Sequence, residues 1–366
     1  MPEKGAPPKV PALQRRALRA IRSFTSPLLP DDYLELINPL WSTRELRGRI
    51  EHIEPETADA ATVVIRPGYE WEGHVPGQYL RIGIDIDGRR HWRAYSLTSD
   101  PDRPDGCISI TPKNVEEGVV SPVLVRGRRL GTIVGLGGVE GEFVLPDPVP
   151  RRLLFISAGS GITPIISMLR SLDGDDAVPD VVMLHSARTA DDVIFGPELR
   201  GLSQRHKGFR LHEQHTAEMG RLAPEHLDEL CPDWREREAY LSGPGDMLDA
   251  MDDHWQEHAD CERMHMERFQ PKLSATEGAQ GDGGTITFLS SKGEARSDGS
   301  TPILAAGEEA GLDLPFGCRE GICHTCVGEL SSGRVRDMRS GKVHGQEGEM
   351  VRTCINAPEG PIEIRL

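Results

Sequence analysis

Four of the chain's seven cysteines fall in its last 49 residues: Cys318, a gap of four, Cys323, a gap of two, Cys326, a gap of twenty-seven, and Cys354. Three thiolates on one loop and a fourth delivered by the fold give each of two irons two sulfur ligands, which is the plant-type spacing for a [2Fe–2S] cluster. Spacing alone leaves zinc open, because a C-x2-C pair with a distant cysteine also suits a tetrahedral site. The four-residue gap and the loop Pro315-Phe316-Gly317-Cys318-Arg319-Glu320-Gly321-Ile322-Cys323 favour iron–sulfur, since glycines and small residues let backbone N–H groups point at sulfur. An odd, scattered cysteine count does not read as a disulfide framework. Cys107, Cys231 and Cys261 lie outside the pattern and read as ordinary thiols. His324, between two ligand cysteines, reads as a surface residue near the cluster.

A chain of 366 residues has room beyond such a loop for other domains, about two to four in all. The net charge of −16 works against wrapping a phosphate backbone, so nucleic acid is not an expected partner. The first 40 residues form a basic arm. Within it Leu13, Ala17, Ala20, Ile21 and Phe24 fall at helical spacing, with Arg15, Arg16, Arg19 and Arg22 on the other face. Such a helix can lie on an anionic membrane surface or pack, solvated, on its own domain. No signal peptide and no bilayer-length apolar run is visible, so a cytoplasmic protein is expected, with the inner membrane face as a peripheral site.

From residue 41 to 150 the signals are short β runs: Gly48–Ile53, Ala61–Arg66, Gln78–Ile86, Ala94–Thr98 and Cys107–Pro112. Turn pairs such as Pro76-Gly77 and Asp87-Gly88 separate them, which predicts a small antiparallel β-barrel or sandwich. From 151 to 270 compact apolar runs, Leu153–Ser157, Val181–His185 and Ala239–Leu241, alternate with helix-like segments, which predicts an α/β domain with a parallel sheet. Residues 271–284 have linker composition. Residues 285–366 then form the cluster domain.

Two further motifs carry chemistry. Arg93-Ala94-Tyr95-Ser96 ends a barrel strand and offers a cation, an aromatic ring and a hydroxyl, which suit the pyrophosphate and ring of a flavin. Gly118-Val119-Val120-Ser121 follows, where Ser121 is expected to cap a helix facing phosphate. Ser157-Ala158-Gly159-Ser160-Gly161-Ile162-Thr163-Pro164 joins an apolar strand to a helix, and its glycines leave room for nucleotide phosphates at the helix N-terminus. It departs from G-x-G-x-x-G, with Pro164 where the last glycine would stand. His185-Ser186-Ala187-Arg188 and Ser242-Gly243-Pro244 each follow a later strand.

On these motifs residues 41–270 resemble the ferredoxin-NADP reductase superfamily, which makes an antiparallel β-barrel the expected fold of the flavin domain, and residues 285–366 resemble a plant-type ferredoxin domain with the β-grasp fold. The resemblance implies that FAD is held by Arg93, Tyr95 and Ser96, with Gly118, Val120 and Ser121 at its pyrophosphate, and that Lys113 also binds cofactor. It implies that Gly159, Gly161, Thr163, Pro164, Gly243 and Pro244 hold the nicotinamide nucleotide, and that Tyr95, Ser96, Thr163 and Ser242 adjoin the reacting rings. Ser242 replaces the family's usual cysteine and keeps a small polar atom there. Cys318, Cys323, Cys326 and Cys354 are the implied metal ligands. Arg188 is the candidate for a ribose 2′-phosphate, which favours NADPH, while Asp191 and Asp192 pull toward NADH. Residues Phe24 to Arg47 are similar to actinobacterial reductases that feed membrane acyl-CoA desaturases.

The implied activity is an NAD(P)H oxidoreductase passing a hydride's electrons through FAD and the cluster, one at a time, to a redox partner. A fatty acyl-CoA desaturase is the expected acceptor, with a Rieske-type or other oxygenase as the alternative. A non-catalytic redox sensor stands further off. No Asp or Glu is nominated as acid or base. His254, His258, Cys261 and His265 would stack on one helix face, but four residues in line over nearly three turns cannot all reach one metal. His212 and His215 read as exposed loop residues.

Overall fold

The computed structural model describes residues 37–42, 44–86, 88–115, 118–127, 130–269, 281–312, 314–316, 321 and 325–366. The arm helix, most of the linker, Cys318, Cys323 and His324 lie outside the described residues. Among the described residues no helix is long and apolar enough to cross a membrane. The chain divides into two compact units, one ending at Arg268 and the other beginning at Phe269, apart from the short segment His91–Ala94, which groups with the second.

The first unit opens with β1 (Arg47–Pro55), β2 (Ala61–Pro67), β3 (Tyr79–Ile86), β4 (Arg89–Ser96) and β5 (Ile108–Ile110). A short helix α1 (Ser121–Arg126) and β6 (Ile133–Glu140) follow. The sheet order is β4-β3-β6-β1-β2-β5, and a bridge between Leu97 and Ile110 joins its two edges into a barrel. Alternation buries Ile50, Val63, Ile65, Leu80, Ile82 and Leu136 in one core. β4 begins at Arg89, five residues before the strand expected from sequence. Polar Arg89-Arg90-His91 hides it from any hydrophobic pattern, and Arg90 pairs with Asp85 at 2.9 Å across the hairpin.

The same unit continues with β7 (Arg152–Ala158), α2 (Ile162–Gly174), β8 (Asp180–Ala187), α3 (Gly196–Arg205), β9 (Phe209–His215), β10 (Glu238–Ser242), α4 (Gly245–His258) and β11 (Met264–Glu267). All pairings in the sheet β11-β10-β7-β8-β9 are parallel. The order reverses between β7 and β10, so the crevice for a ligand opens at the carboxyl ends of those two strands. β7, β8 and β10 are buried on both faces, which explains their unbroken apolar runs. Arg170 on α2 docks this sheet to the barrel. It forks onto Glu198 at 2.8 and 2.6 Å and donates to the Thr98 carbonyl at 2.6 Å. Ser167 adds a bond to the Ser99 carbonyl at 2.9 Å.

The second unit carries β12 (Gly284–Phe288), β13 (Gly293–Ser297), α5 (Ile303–Glu309), β14 (Val327–Ser332), β15 (Val335–Asp337), β16 (Val343–His344), β17 (Glu349–Arg352), β18 (Asn356–Pro358) and β19 (Ile362–Arg365). Its main sheet, β13-β12-β19-β14-β17, is mixed, with β12 and β19 parallel. Helix α5 buries Ile303, Leu304 and Ala306 in a core shared with Phe288, Leu330 and Ile364. That is a helix laid on a mixed sheet, the β-grasp arrangement expected from the sequence.

Candidate active site

The glycine turn after β7 is a 3-10 segment, Gly159–Gly161, feeding directly into α2. Gly159 sits at φ +53°, where a side chain is strained. At Gly161 a Cβ would lie 2.0 Å from the Ser242 carbonyl oxygen. Only glycine lets the turn close onto the end of β10, and this contact joins the two nicotinamide motifs. Gly243 completes the junction, since a Cβ there would lie 2.7 Å from Met247 Cε and 3.2 Å from the Ala158 nitrogen. Thr163 is buried and donates to the Ser160 carbonyl at 2.9 Å, fixing the first turn of α2. Pro164 stands in the helix's first turn, where a missing N–H costs no intrahelical bond. Pro244 caps the start of α4.

These segments rim a cleft of about 390 Å³, whose lining includes Lys113, Gly159, Arg188, Asp192, Arg221 and Asp246. Arg188 pairs with Asp192 at 3.3 Å, and Arg221 pairs with Asp246. Thr189 donates to Asp192 at 2.7 Å, and this bond, with Arg188 beside it, holds the Asp192 carboxyl below the usual range. Lys113 reaches in from the barrel, 3.4 Å from Asp59. Three cations around one cleft beside a helix N-terminus fit a dinucleotide carrying several phosphate charges. Sequence reasoning found Arg188 and Lys113 and missed Arg221, which lies in a loop without a motif.

Ser242 is fully buried, and its Oγ has no protein hydrogen-bond partner, so a polar group brought in by a ligand has a donor and acceptor waiting. Its in-register neighbour on β11 is Glu267, whose pKa burial pushes up to about 7. No acid or base was expected here; β11 is four residues long and carries no sequence signal. Tyr79, also unforeseen, donates to Glu140 at 3.2 Å, and burial together with that carboxylate pushes its phenol up to about 12.

On the barrel, Tyr95 and Ser96 end β4. Tyr95 packs on the barrel core and Ser96 is buried. Arg93 donates to the Trp92 carbonyl at 2.7 Å. Val120 is a core residue and itself occupies the cap position of α1. Ser121 therefore does not cap that helix. It is the first helical residue, and its Oγ accepts from the Val115 N–H at 3.1 Å, bracing the loop before it. Gly118 is required beside it, because a Cβ would lie 2.9 Å from Ser121 Oγ.

In the second unit Cys326 and Cys354 are both buried. The Cys326 carbonyl accepts from the N–H and the hydroxyl of Thr353 at 3.1 and 2.8 Å, which sets the two cysteines side by side. The Gly321 N–H points at Cys354 Sγ at 3.2 Å. Gly321 sits at φ +71°, and its carbonyl is held by Arg352 at 2.8 Å. Two buried thiols with an amide aimed at sulfur fit half of the four-cysteine donor set, and part of the outer shell, of an iron–sulfur centre.

The histidine constellations take other roles. Helix α4 ends at His258, so only His254 and His258 share its face, their ring centroids 4.6 Å apart, while Cys261 lies in a separate turn and His265 on β11. His265 pairs with Glu238 at 2.7 Å and stacks on Tyr240. His212 and His215 are half-buried on β9 rather than in an exposed loop, bonded to Gln214 and Glu213.

A nucleotide cleft on a parallel sheet, a barrel beside it and a thiolate pair in a β-grasp unit define the class, a flavin- and iron–sulfur-dependent NAD(P)H oxidoreductase. Comparison with known proteins agrees. An oxidoreductase FAD-binding domain model matches residues 50–145, an oxidoreductase NAD-binding domain model residues 155–253, and a 2Fe-2S iron-sulfur cluster binding domain model residues 288–359. An NADPH oxidoreductase of Mycobacterium tuberculosis is 48% identical over 94% of this chain and 90% of its own length. The glycine betaine monooxygenase reductase subunit of Pseudomonas aeruginosa is 31% identical over 79% of this chain and 86% of its own. The solved structure of phthalate dioxygenase reductase superposes with a TM-score of 0.59 at 20% identity, covering 88% of this chain and 98% of that one. The chain belongs to the ferredoxin-NADP reductase family of flavoproteins with a C-terminal plant-type [2Fe–2S] domain.

Proposed function

We propose that the chain is an NADPH-dependent reductase that delivers single electrons to a membrane di-iron fatty acyl-CoA desaturase. The observation that carries the nucleotide half is the closure of the Gly159–Gly161 turn onto Ser242 above a cleft ringed by Lys113, Arg188 and Arg221. Bound NADPH, FAD and cluster would supply hydride donation, conversion from two-electron to one-electron steps, and one-electron exit. The protein's residues bind and orient. Arg188 and Arg221 pair with the ribose 2′-phosphate, and the α2 N-terminus faces the pyrophosphate. Ser242, Thr163 and Ser96 surround the reacting rings; Tyr95 stacks on the flavin, Arg93 and Gly118 to Ser121 hold its pyrophosphate, and four cysteines ligate iron.

The acceptor is argued from the segment Phe24 to Arg47, similar to desaturase reductases, and from the basic face of the arm, which suits an anionic membrane surface. A second reading, reductase of an oxygenase, is favoured by the relative that serves glycine betaine monooxygenase. Reconstitution separates them: turnover with a membrane desaturase in liposomes supports the first, and turnover only with a soluble oxygenase supports the second. Deleting residues 1–23 should weaken liposome association while ferricyanide reduction persists. A redox sensor would not sustain NADPH-driven cytochrome c reduction.

A further inference from the structure

One row of residues crosses all five strands of the parallel sheet in register: Glu267, Ser242, Ser157, His185 and Glu213. The row below it, Met266, Leu241, Ile156 and Leu184 before His212, is apolar over four strands. Register neighbours share a face, so these five side chains project on one side, two residues beyond Tyr240, Phe155 and Met183 in the core under α2. Ser242, Ser157 and His185 are fully buried, Glu213 is 13% exposed and His215 beyond it 23%. The row therefore runs from the dry centre of the sheet to solvent at its β9 edge.

Its polar atoms are linked at one joint and open at the others. Ser157 Oγ and His185 Nδ1 are hydrogen-bonded at 2.7 Å. Ser242 Oγ, His185 Nε2 and Glu213 Oε1 are buried without a protein partner. Buried polar atoms of this kind are met by ordered water or by a ligand's polar group. On the same face two residues back the sheet is apolar, with Tyr240, Phe155 and Met183 in the core, so the polar row is a local departure at the carboxyl ends of the strands.

We propose that Ser157 and His185 are members of a buried, water-bridged proton relay from Ser242 to solvent at Glu213. The inference rests on Ser242 lying at the hydride-transfer site. With nucleotide and flavin bound, hydride oxidation followed by single-electron exit would leave one proton to be released, and this row offers it a route. In the relay ordered water carries a proton from Ser242 to Ser157, Ser157 passes its own to His185 Nδ1 across their hydrogen bond, and Nε2 gives one up through water to Glu213. Each link gains one proton and loses one, so no net charge accumulates in the core. The charged groups facing His185 are Glu213 and His215 on β9 and Lys113 from the barrel, with Arg200 paired to Glu213 at 2.9 Å. Burial keeps the imidazole neutral, down to about 4, as a carrier that must not trap a proton requires.

The test uses the full-length holoprotein, reduced by NADPH and mixed with ferricyanide. Flavin oxidation is followed by absorbance and proton release by a pH-indicator dye, in water and in deuterium oxide. In the parent protein the two run in step. In Ser157→Ala and His185→Gln, flavin oxidation and proton release should slow together by ~10-fold or more, because oxidation cannot finish while its proton is held, and the solvent isotope effect on both should exceed the parent's. Unchanged rates in both variants overturn the relay, as does slowing with the parent's isotope effect, which marks a structural role. Ser242→Ala isolates the underlying placement: an unchanged rate of flavin reduction by NADPH overturns the position of the hydride site, whereas a slower rate with the other two variants at parent rates overturns only the relay.

Discussion

Arg188, just after β8, and Arg221, in the loop between β9 and β10, face one cleft, and replacing each with glutamine removes a charge while keeping a hydrogen-bonding side chain. Their side chains are 78% and 82% exposed, so the surroundings screen them nearly as water does. A unit charge pair at 4 Å is worth about 1 kcal/mol in water and about 4 kcal/mol at a protein surface. With a dianionic 2′-phosphate and the partners Asp192 and Asp246 already competing, we take ~1–2 kcal/mol per arginine, or roughly 5- to 30-fold in kcat/KM. The double variant should lose on the order of 100-fold, most of it in KM, if the two act independently. Steady-state ferricyanide reduction with NADPH and with NADH reads the effect. NADH, lacking the phosphate, should change less than about threefold, so the ratio of the two reports recognition. Equal losses for both nucleotides would refute the assignment, as would an NADPH value within about twofold of the parent.

Cys354→Ser should abolish the iron–sulfur absorbance and cytochrome c reduction while FAD remains bound, checked by the visible spectrum and iron analysis. Arg237 is fully buried between Asp180 and Asp233, with bonds of 2.8–3.2 Å to both carboxylates and to the carbonyls of Leu153 and Asp180. Arg237→Ala should cost about 2–3 kcal/mol in urea unfolding, because a buried side chain and its bonds to two carbonyls are lost, while the part-exposed carboxylates keep Arg210 and Arg152. His185 folds with a depressed pKa of about 4 against 6.5 in the unfolded chain. Below pH 6.5 the unfolded chain binds the extra proton, so stability present at neutral pH is lost as pH falls toward 4, by about 3 kcal/mol in all. Urea midpoints from pH 7.5 to 4.5 should show that slope, and His185→Gln should flatten it.

The parts most legible in sequence were those with fixed spacing or unbroken burial. The cysteine pattern has fixed spacing, and β7, β8 and β10 are central strands whose buried stretches, 153–157, 181–184 and 239–242, are apolar, aromatic or small. The sheet edges were hidden. β9 reads Phe-Arg-Leu-His-Glu-Gln-His and β11 Met-His-Met-Glu, so their inward faces carry ionisable residues that no hydrophobic period detects. Those same residues, Glu213 and Glu267, flank the polar row at the site. The extended helix imagined over His254 to His265 failed because Ala259 and Asp260 leave the helix, a break that the residue types do not announce. Ser121 lost its capping role to a backbone that starts the helix one residue earlier.

The electron path itself is tested most directly by anaerobic addition of NADPH to the purified full-length protein, followed by low-temperature paramagnetic resonance. Bleaching of flavin absorbance together with a rhombic signal from a reduced two-iron centre, with iron and sulfide present in equal amounts, is the predicted result. A protein that bleaches its flavin but gives no such signal, or that carries zinc in the cysteine site, would contradict it.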